Sequence, residues 1–161
     1  MRARTVSPAA RVLLCLLAAA ALSRAGAARA QEKEPEMTLP ACGISYPGGY
    51  DPNTVGVVEG RVGAFTRPER GPVSFRLEAA EGSYTVFTAP AWFWEDRKIA
   101  IADGERVRVK GSKTMGADGN LYLVAQEIAV AGAARPVTFR DAQGKPAWSG
   151  CGPAGCGRRG R

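Results

Sequence analysis

Apolar positions in this chain recur mainly at every second residue. The clearest run is 72–80, PVSFRLEAA, where Val73, Phe75 and Leu77 share one face and Ser74, Arg76 and Glu78 the other. Such alternation predicts a half-buried β-strand. Residues 83–89, SYTVFTA, follow the turn at Glu81-Gly82 and complete a hairpin. Upstream, 54–66 reads TVGVVEGRVGAFT, with Gly56, Gly60 and Gly63 among the valines. Glycines inside a strand mark bulges and barrel corners, so this strand is expected to bend sharply. Residues 105–114 alternate again, with Val107 and Val109 inward and Arg106, Arg108 and Lys110 outward. The turn MGADGN leads into 121–131, LYLVAQEIAVA, where the phase conflicts: Leu121, Leu123 and Ala125 share a face with Glu127, while Ile128 and Val130 are the better core residues. A bulge between Ala125 and Glu127 resolves it. A short edge strand is expected within 135–141.

Between the third and fourth strands, Pro90 precedes AWFWEDRKI, which does not alternate and is too short for an independent helix. A single helical turn fits. Five strands with a short helical segment between the third and fourth predict an all-β fold, a small OB-like Greek-key barrel. Trp92, Phe93 and Trp94 then have two readings, a lid on the barrel end or a stacking platform for a ligand. The lid reading is preferred, with Trp92 inward and Trp94 more exposed. Residues 31–53, rich in Pro, Gly and charge, read as an irregular arm, and 54–149 as the barrel domain. Residues 150–161 form a Gly/Arg-rich tail, expected to be flexible, with two cysteines.

The first 30 residues have a basic start, an apolar run from Val12 to Leu22 and the triplet Ala28-Arg29-Ala30. That is the pattern of a cleaved secretory signal, and it places the mature protein in the periplasm or outside the cell, with no membrane span left after cleavage. Five of the arginines lie in this segment, so 17 basic residues face 15 acidic ones in the remainder. The basic pI therefore reflects the leader and tail, and it does not indicate a polyanion-binding domain. Cys42, Cys151 and Cys156 remain, and three thiols leave three disulfide pairings open. A Cys42 bridge to the tail would contribute about 4 to 5 kcal/mol at most by loop entropy.

GSYTVFTAPAWFW, IADGERVRVKGS, LYLVAQEIAVAG and VTFRDAQGKPAWSG together resemble the exported OB-like domains at the C-terminus of the magnetosome proteins MamS and MamX. The matching positions include Pro90, Trp92 and Phe93, then Gly104, Glu105, Val107, Val109, Gly111 and Ser112, and finally Arg140, Asp141, Gly144, Pro146 and Trp148. Ala89 stands where a glycine is usual, and the haem-binding Cys-x-x-Cys-His motifs of the longer MamX protein are absent. The resemblance implies fold and envelope location, and no electron transfer or catalytic residue comes with it.

Candidate chemistry is sparse. The chain contains no histidine, and it has no nucleophile elbow and no phosphate loop. The function expected is a non-enzymatic envelope module that binds a protein or small ligand without a cofactor. A single-stranded nucleic-acid binder is the alternative, although interleaved aromatics are missing from the second and third strands. A thiol-based metal or redox protein using Cys42, Cys151 and Cys156 stands third. The candidate partner surface comprises Trp94, Arg106, Arg108, Lys110, Arg140 and Asp141. For Arg140 and Asp141, local pairing at a turn with Trp148 packed on the barrel is the simpler reading. The leader makes a direct prediction: intact-mass analysis of the exported protein will give a chain beginning at Gln31, and retention of Met1 in the cytoplasm would refute export.

Overall fold

The computed structural model describes residues 36–150. Eight strands are present among them: β1 (Met37–Thr38), β2 (Ser45–Tyr46), β3 (Val55–Thr66), β4 (Ser74–Ala79), β5 (Gly82–Phe87), β6 (Arg106–Met115), β7 (Leu121–Val130) and β8 (Val137–Thr138). One short helix, α1 (Ala91–Asp96), lies between β5 and β6. The main sheet runs β5-β4-β3-β6-β7-β8, and a parallel pairing of β5 with β7 closes the five central strands into a barrel. This is the OB connectivity expected from the sequence.

Closure depends on β3, whose first half pairs with β6 and whose second half pairs with β4. Gly60 lies where the two ladders overlap, opposite both Ala79 and Val107. A Cβ there would collide with the Glu78 carbonyl oxygen, so only glycine lets β4 approach this closely. The phase conflict in β7 is resolved as expected. Lys110 is opposite Glu127 and Gly111 opposite Ala125, which leaves Gln126 as the bulged residue. Leu123, Ala125 and Ile128 consequently all reach the core, while Leu121 stays 37% exposed.

The barrel interior is filled by Val58, Val62, Phe75, Leu77, Val86, Val107, Val109 and Leu123. The end near α1 is closed by Phe93 and Trp94, and here the structure corrects the sequence expectation. Trp94 is 1% exposed and Phe93 1%, whereas Trp92 is only partly buried and packs edge-on against Phe93. With Pro90 as N-cap, positions 90, 93 and 94 share one helix face, and that face turns inward. The Trp94 indole Nε1 donates to Thr88 Oγ1 at 2.9 Å, and that hydroxyl donates to the Val73 carbonyl at 2.8 Å. Phe65 and Phe139 flank the indole at 5.9 and 5.8 Å. Trp94 therefore offers no ligand surface.

The described part of the arm, residues 36–53, carries a short strand pair where no regular structure was expected, and it packs against the barrel. β1 and β2 pair, and Cys42, Ile44 and Tyr46 are all buried. Tyr46 stacks on Trp148 with centroids 6.1 Å apart, while Cys42 and Ile44 form a second apolar cluster with Phe87 and Tyr122. The turn before Ile44 is pinned to the β6–β7 loop by the Ala117 amide, which donates to the Cys42 carbonyl at 2.8 Å. Within that loop the Tyr122 hydroxyl donates to Asp118 Oδ2 at 2.7 Å, and Asn120 donates to both carboxylate oxygens. Burial, then this acceptor, pushes the Tyr122 hydroxyl up to about 12, and the same bond is the first cause holding the Asp118 carboxyl below its usual value.

Two predictions follow from this packing. Trp94→Ala will lower stability by about 3 to 5 kcal/mol in chemical denaturation, and Trp92→Ala will cost much less. The reverse order would refute the observed lid. For the loop, the raised Tyr122 value means that its stabilisation is complete below the free tyrosine value of about 10 and is lost as pH rises through about 12. The lowered Asp118 value means that its contribution is present above the ordinary carboxylate range and is lost as pH falls through its depressed value. Tyrosinate absorbance will show a late alkaline transition that Tyr122→Phe removes. A Tyr122→Phe protein with an unchanged titration curve would contradict the Tyr122–Asp118 hydrogen bond.

Candidate functional site

OB barrels bind oligonucleotides on the face of their second and third strands and on the adjoining loops. In this chain those strands are β4 and β5, and the outer face presents Ser74, Arg76, Glu78, Ser83 and Thr85. Phe87 belongs to the same face and stacks on Tyr122 of β7 with centroids 5.2 Å apart. That aromatic pair is a feature the sequence reading did not assemble, since it depends on the parallel β5–β7 contact. It is not open, because Leu39, Cys42 and Ile44 of the arm cover it.

A second concavity lies between the turn after β2 and the loop after β8. It has a volume of about 330 Å³, with Pro47 and Tyr50 on one side, Gly144 and Lys145 on the other, and the nearly buried Trp148 among its lining residues. Arg140 holds the two sides together. Its Nη1 donates to the Pro47 carbonyl at 2.8 Å and to the Gly144 carbonyl at 3.1 Å. The guanidinium carbon lies 5.0 Å from the Trp148 ring centroid and 6.0 Å from that of Tyr50. The Tyr50 hydroxyl in turn donates to Gln126 Oε1 at 3.0 Å, tying the cleft to the β7 bulge. Burial raises the Tyr50 hydroxyl value, opposed by the Arg140 charge and reinforced by Asp141.

The candidate residues from the sequence are thus distributed among different roles. Arg140 is fully buried and acts as a structural clamp, so its place on an exposed partner surface is corrected. Asp141 closes its own turn by accepting from the amides of Gln143 and Lys145 at 3.0 and 2.8 Å. Trp148 packs on the core as expected for FRDAQGKPAW, whereas Arg140, expected to pair locally at the turn, reaches the distant Pro47 carbonyl as well as that of Gly144. Arg106, Arg108 and Lys110 remain together as an exposed row on β6, with Arg108 paired to Glu59 at 3.5 Å. Cys42 is buried and forms no disulfide among the described residues, and Cys151 and Cys156 lie outside them. Among the described residues no three His, Cys, Asp or Glu side chains are grouped to hold a metal, and no helix is long and apolar enough to cross a membrane.

Comparison with solved structures finds matches at low identity and low TM-score. Apo TiaS, a tRNAIle2 agmatidine synthetase, is 23% identical with a TM-score of 0.37, over 47% of this chain and 18% of that one. A ZRD-deleted mutant of TiaS in complex with agmatine is 20% identical with a TM-score of 0.39, over 60% and 28% of the two chains. The mitochondrial single-stranded DNA binding protein Rim1 from S. cerevisiae is 21% identical with a TM-score of 0.34, over 50% of this chain and 94% of that one. This chain therefore spans less than a third of the length of either TiaS chain. A search of curated proteins finds no match. The MamS/MamX magnetosome protein family model matches residues 54–134, half of the chain and all five barrel strands, and the chain belongs to that family.

Proposed function

We propose that this protein is a non-enzymatic binding module of the bacterial cell envelope that engages a protein or small ligand through the cleft between Tyr50 and Lys145. The observation that carries this reading is the Arg140 clamp, which bonds both sides of the cleft and fixes its shape before any ligand arrives. A preformed concavity avoids the ordering cost that a flexible loop site incurs on binding. The family and the barrel support a module that binds rather than catalyses. Envelope location is the reading of the leader together with the magnetosome family. The cleft is built from residues on either side of the family-matched span, so its ligand is a property of this chain's arm and final loop.

Nucleic acid is the alternative, and the observed packing argues against it. On the β4–β5 face the one aromatic pair available for stacking, Phe87 with Tyr122, is covered by the arm, and the rest of that face offers Ser74, Arg76, Glu78, Ser83 and Thr85.

The test is a variant that fills the cleft without disturbing its clamp. Gln143→Trp places a large ring at the rim of the cleft, on a residue whose side chain makes no hydrogen bond among the described residues. The expected outcome is an unchanged melting temperature with loss of whatever co-purifies with the wild-type protein from an envelope fraction. Equal recovery by variant and wild type would remove the cleft from consideration. Retention on single-stranded DNA that falls steeply with salt would instead favour the nucleic-acid reading.

A further inference from the structure

The outer face of β3 and β6 carries an arrangement that neither the fold nor the cleft accounts for. Arg61 and Arg106 are directly opposite each other in the β3–β6 register, and both are exposed. Like charges at directly opposed positions repel and destabilise a sheet locally. Arg61 is also directly opposite Glu78 in the β3–β4 register, yet neither neighbouring carboxylate is committed to this pair. Glu59 is paired with Arg108 at 3.5 Å, and Glu78 with Arg76 at 3.8 Å while also accepting from Ser83. Among the described residues neither Arg61 nor Arg106 forms a salt bridge. Arg61 Nη1 donates to the Gly104 carbonyl at 3.1 Å, which holds the guanidinium toward the start of β6, beside Arg106. A guanidinium has five donors, so most of those on this pair are uncommitted.

The two arginines also share a concavity. A cleft of about 320 Å³ is lined by Glu59, Gly60, Arg61, Glu78, Ala80 and Arg106. A second, of about 210 Å³, adjoins it through Glu59 and Arg106 and continues past Arg108 to Ala129 on β7. Together they form a furrow across the strands, with Arg106 at its centre. Val57, 42% exposed, lies on the same outer face opposite Lys110 and adds apolar contact area.

We propose that this furrow is a docking site for an acidic peptide segment of a partner protein, with one carboxylate of the peptide bridging Arg61 and Arg106. Bidentate guanidinium–carboxylate contacts are the strong and geometrically specific form of such pairing. Three arginines and two glutamates line the furrow, an alternating pattern that suits spaced carboxylates. A nucleic-acid backbone carries a charge on every nucleotide with no neutral spacer and would meet Glu59 and Glu78 as repulsive neighbours, whereas a peptide in which glutamates alternate with neutral residues would not. The proposal concerns a different face from the Tyr50–Lys145 cleft and stands or falls separately from it.

The test uses a Glu-Ser-Glu-Ser-Glu-Ser peptide as probe, with inorganic phosphate and an oligothymidylate as comparators, and follows backbone and arginine side-chain NMR signals of the purified protein. Saturable shifts centred on Arg61 and Arg106 are expected with this peptide, weakened at least about tenfold by Arg106→Gln, a loss typical of breaking one charge-assisted contact. Lys145→Gln, a cation at the separate cleft, should leave the affinity unchanged. Arg106→Glu supplies the decisive control, since it replaces the like-charge pair with an opposite-charge pair. It should raise the melting temperature while abolishing binding, a combination that misfolding does not produce. Equal affinity in Arg106→Glu, binding of phosphate as tight as that of the peptide, or tighter binding of oligothymidylate would each overturn the proposal.

Discussion

The structure depends on one strand serving two ladders. β3 must leave β6 and join β4 within a few residues, and the crossing is possible only because Gly60 allows the Glu78 carbonyl to approach the β3 backbone. Without that approach β4 and β5 would not curl far enough for β5 to reach β7. The parallel β5–β7 contact then closes the sheet and removes the edges that an open sheet would present. A compensating irregularity sits on the opposite wall, where the Gln126 bulge faces Gly111 and lets β7 follow the same curvature.

That bulge also organises the chain beyond the barrel. Because Gln126 is unpaired with β6, its carbonyl is available to the amides of Phe139 and Arg140, at 2.8 and 3.1 Å, and its side chain receives the Tyr50 hydroxyl. The final loop and the arm are thus fastened to the same residue. Arg140 completes the arrangement by bonding a carbonyl in each, under the Trp148 ring. A buried guanidinium is expensive to desolvate, so its hydrogen bonds and aromatic neighbours must offset that cost, and its role here is to specify one geometry for the cleft.

The arm changes what the OB scaffold presents. By covering Phe87 and Tyr122 it turns the aromatic end of the β4–β5 face into a second core, and the surfaces proposed for recognition are ones that the chain adds or leaves charged. The clamped cleft is one such surface and the arginine furrow another. The cleft follows from the same packing, since the arm that covers Phe87 and Tyr122 also forms one side of it.

The sequence by itself determined the elements whose signal is local. Strict alternation at Val73, Phe75 and Leu77 located β4, the clash of Glu127 with Ile128 located the β7 bulge, and Pro90 before three aromatics located α1. An unread local signal was also present, because Cys42, Ile44 and Tyr46 alternate within the supposedly irregular arm, and all three are buried. Which side of α1 faces the core was decided by tertiary structure: the helix is too short to carry a moment, so docking against Thr88 and Phe139 selected Trp94 over Trp92. Arg140 looked like a surface charge because a lone arginine carries no mark of burial until carbonyls distant in sequence, such as that of Pro47, are brought to it. The Arg61–Arg106 pair has the same origin. Each arginine is an ordinary outward residue of an alternating strand, and only the β3–β6 register, fixed by barrel closure, sets the two charges side by side.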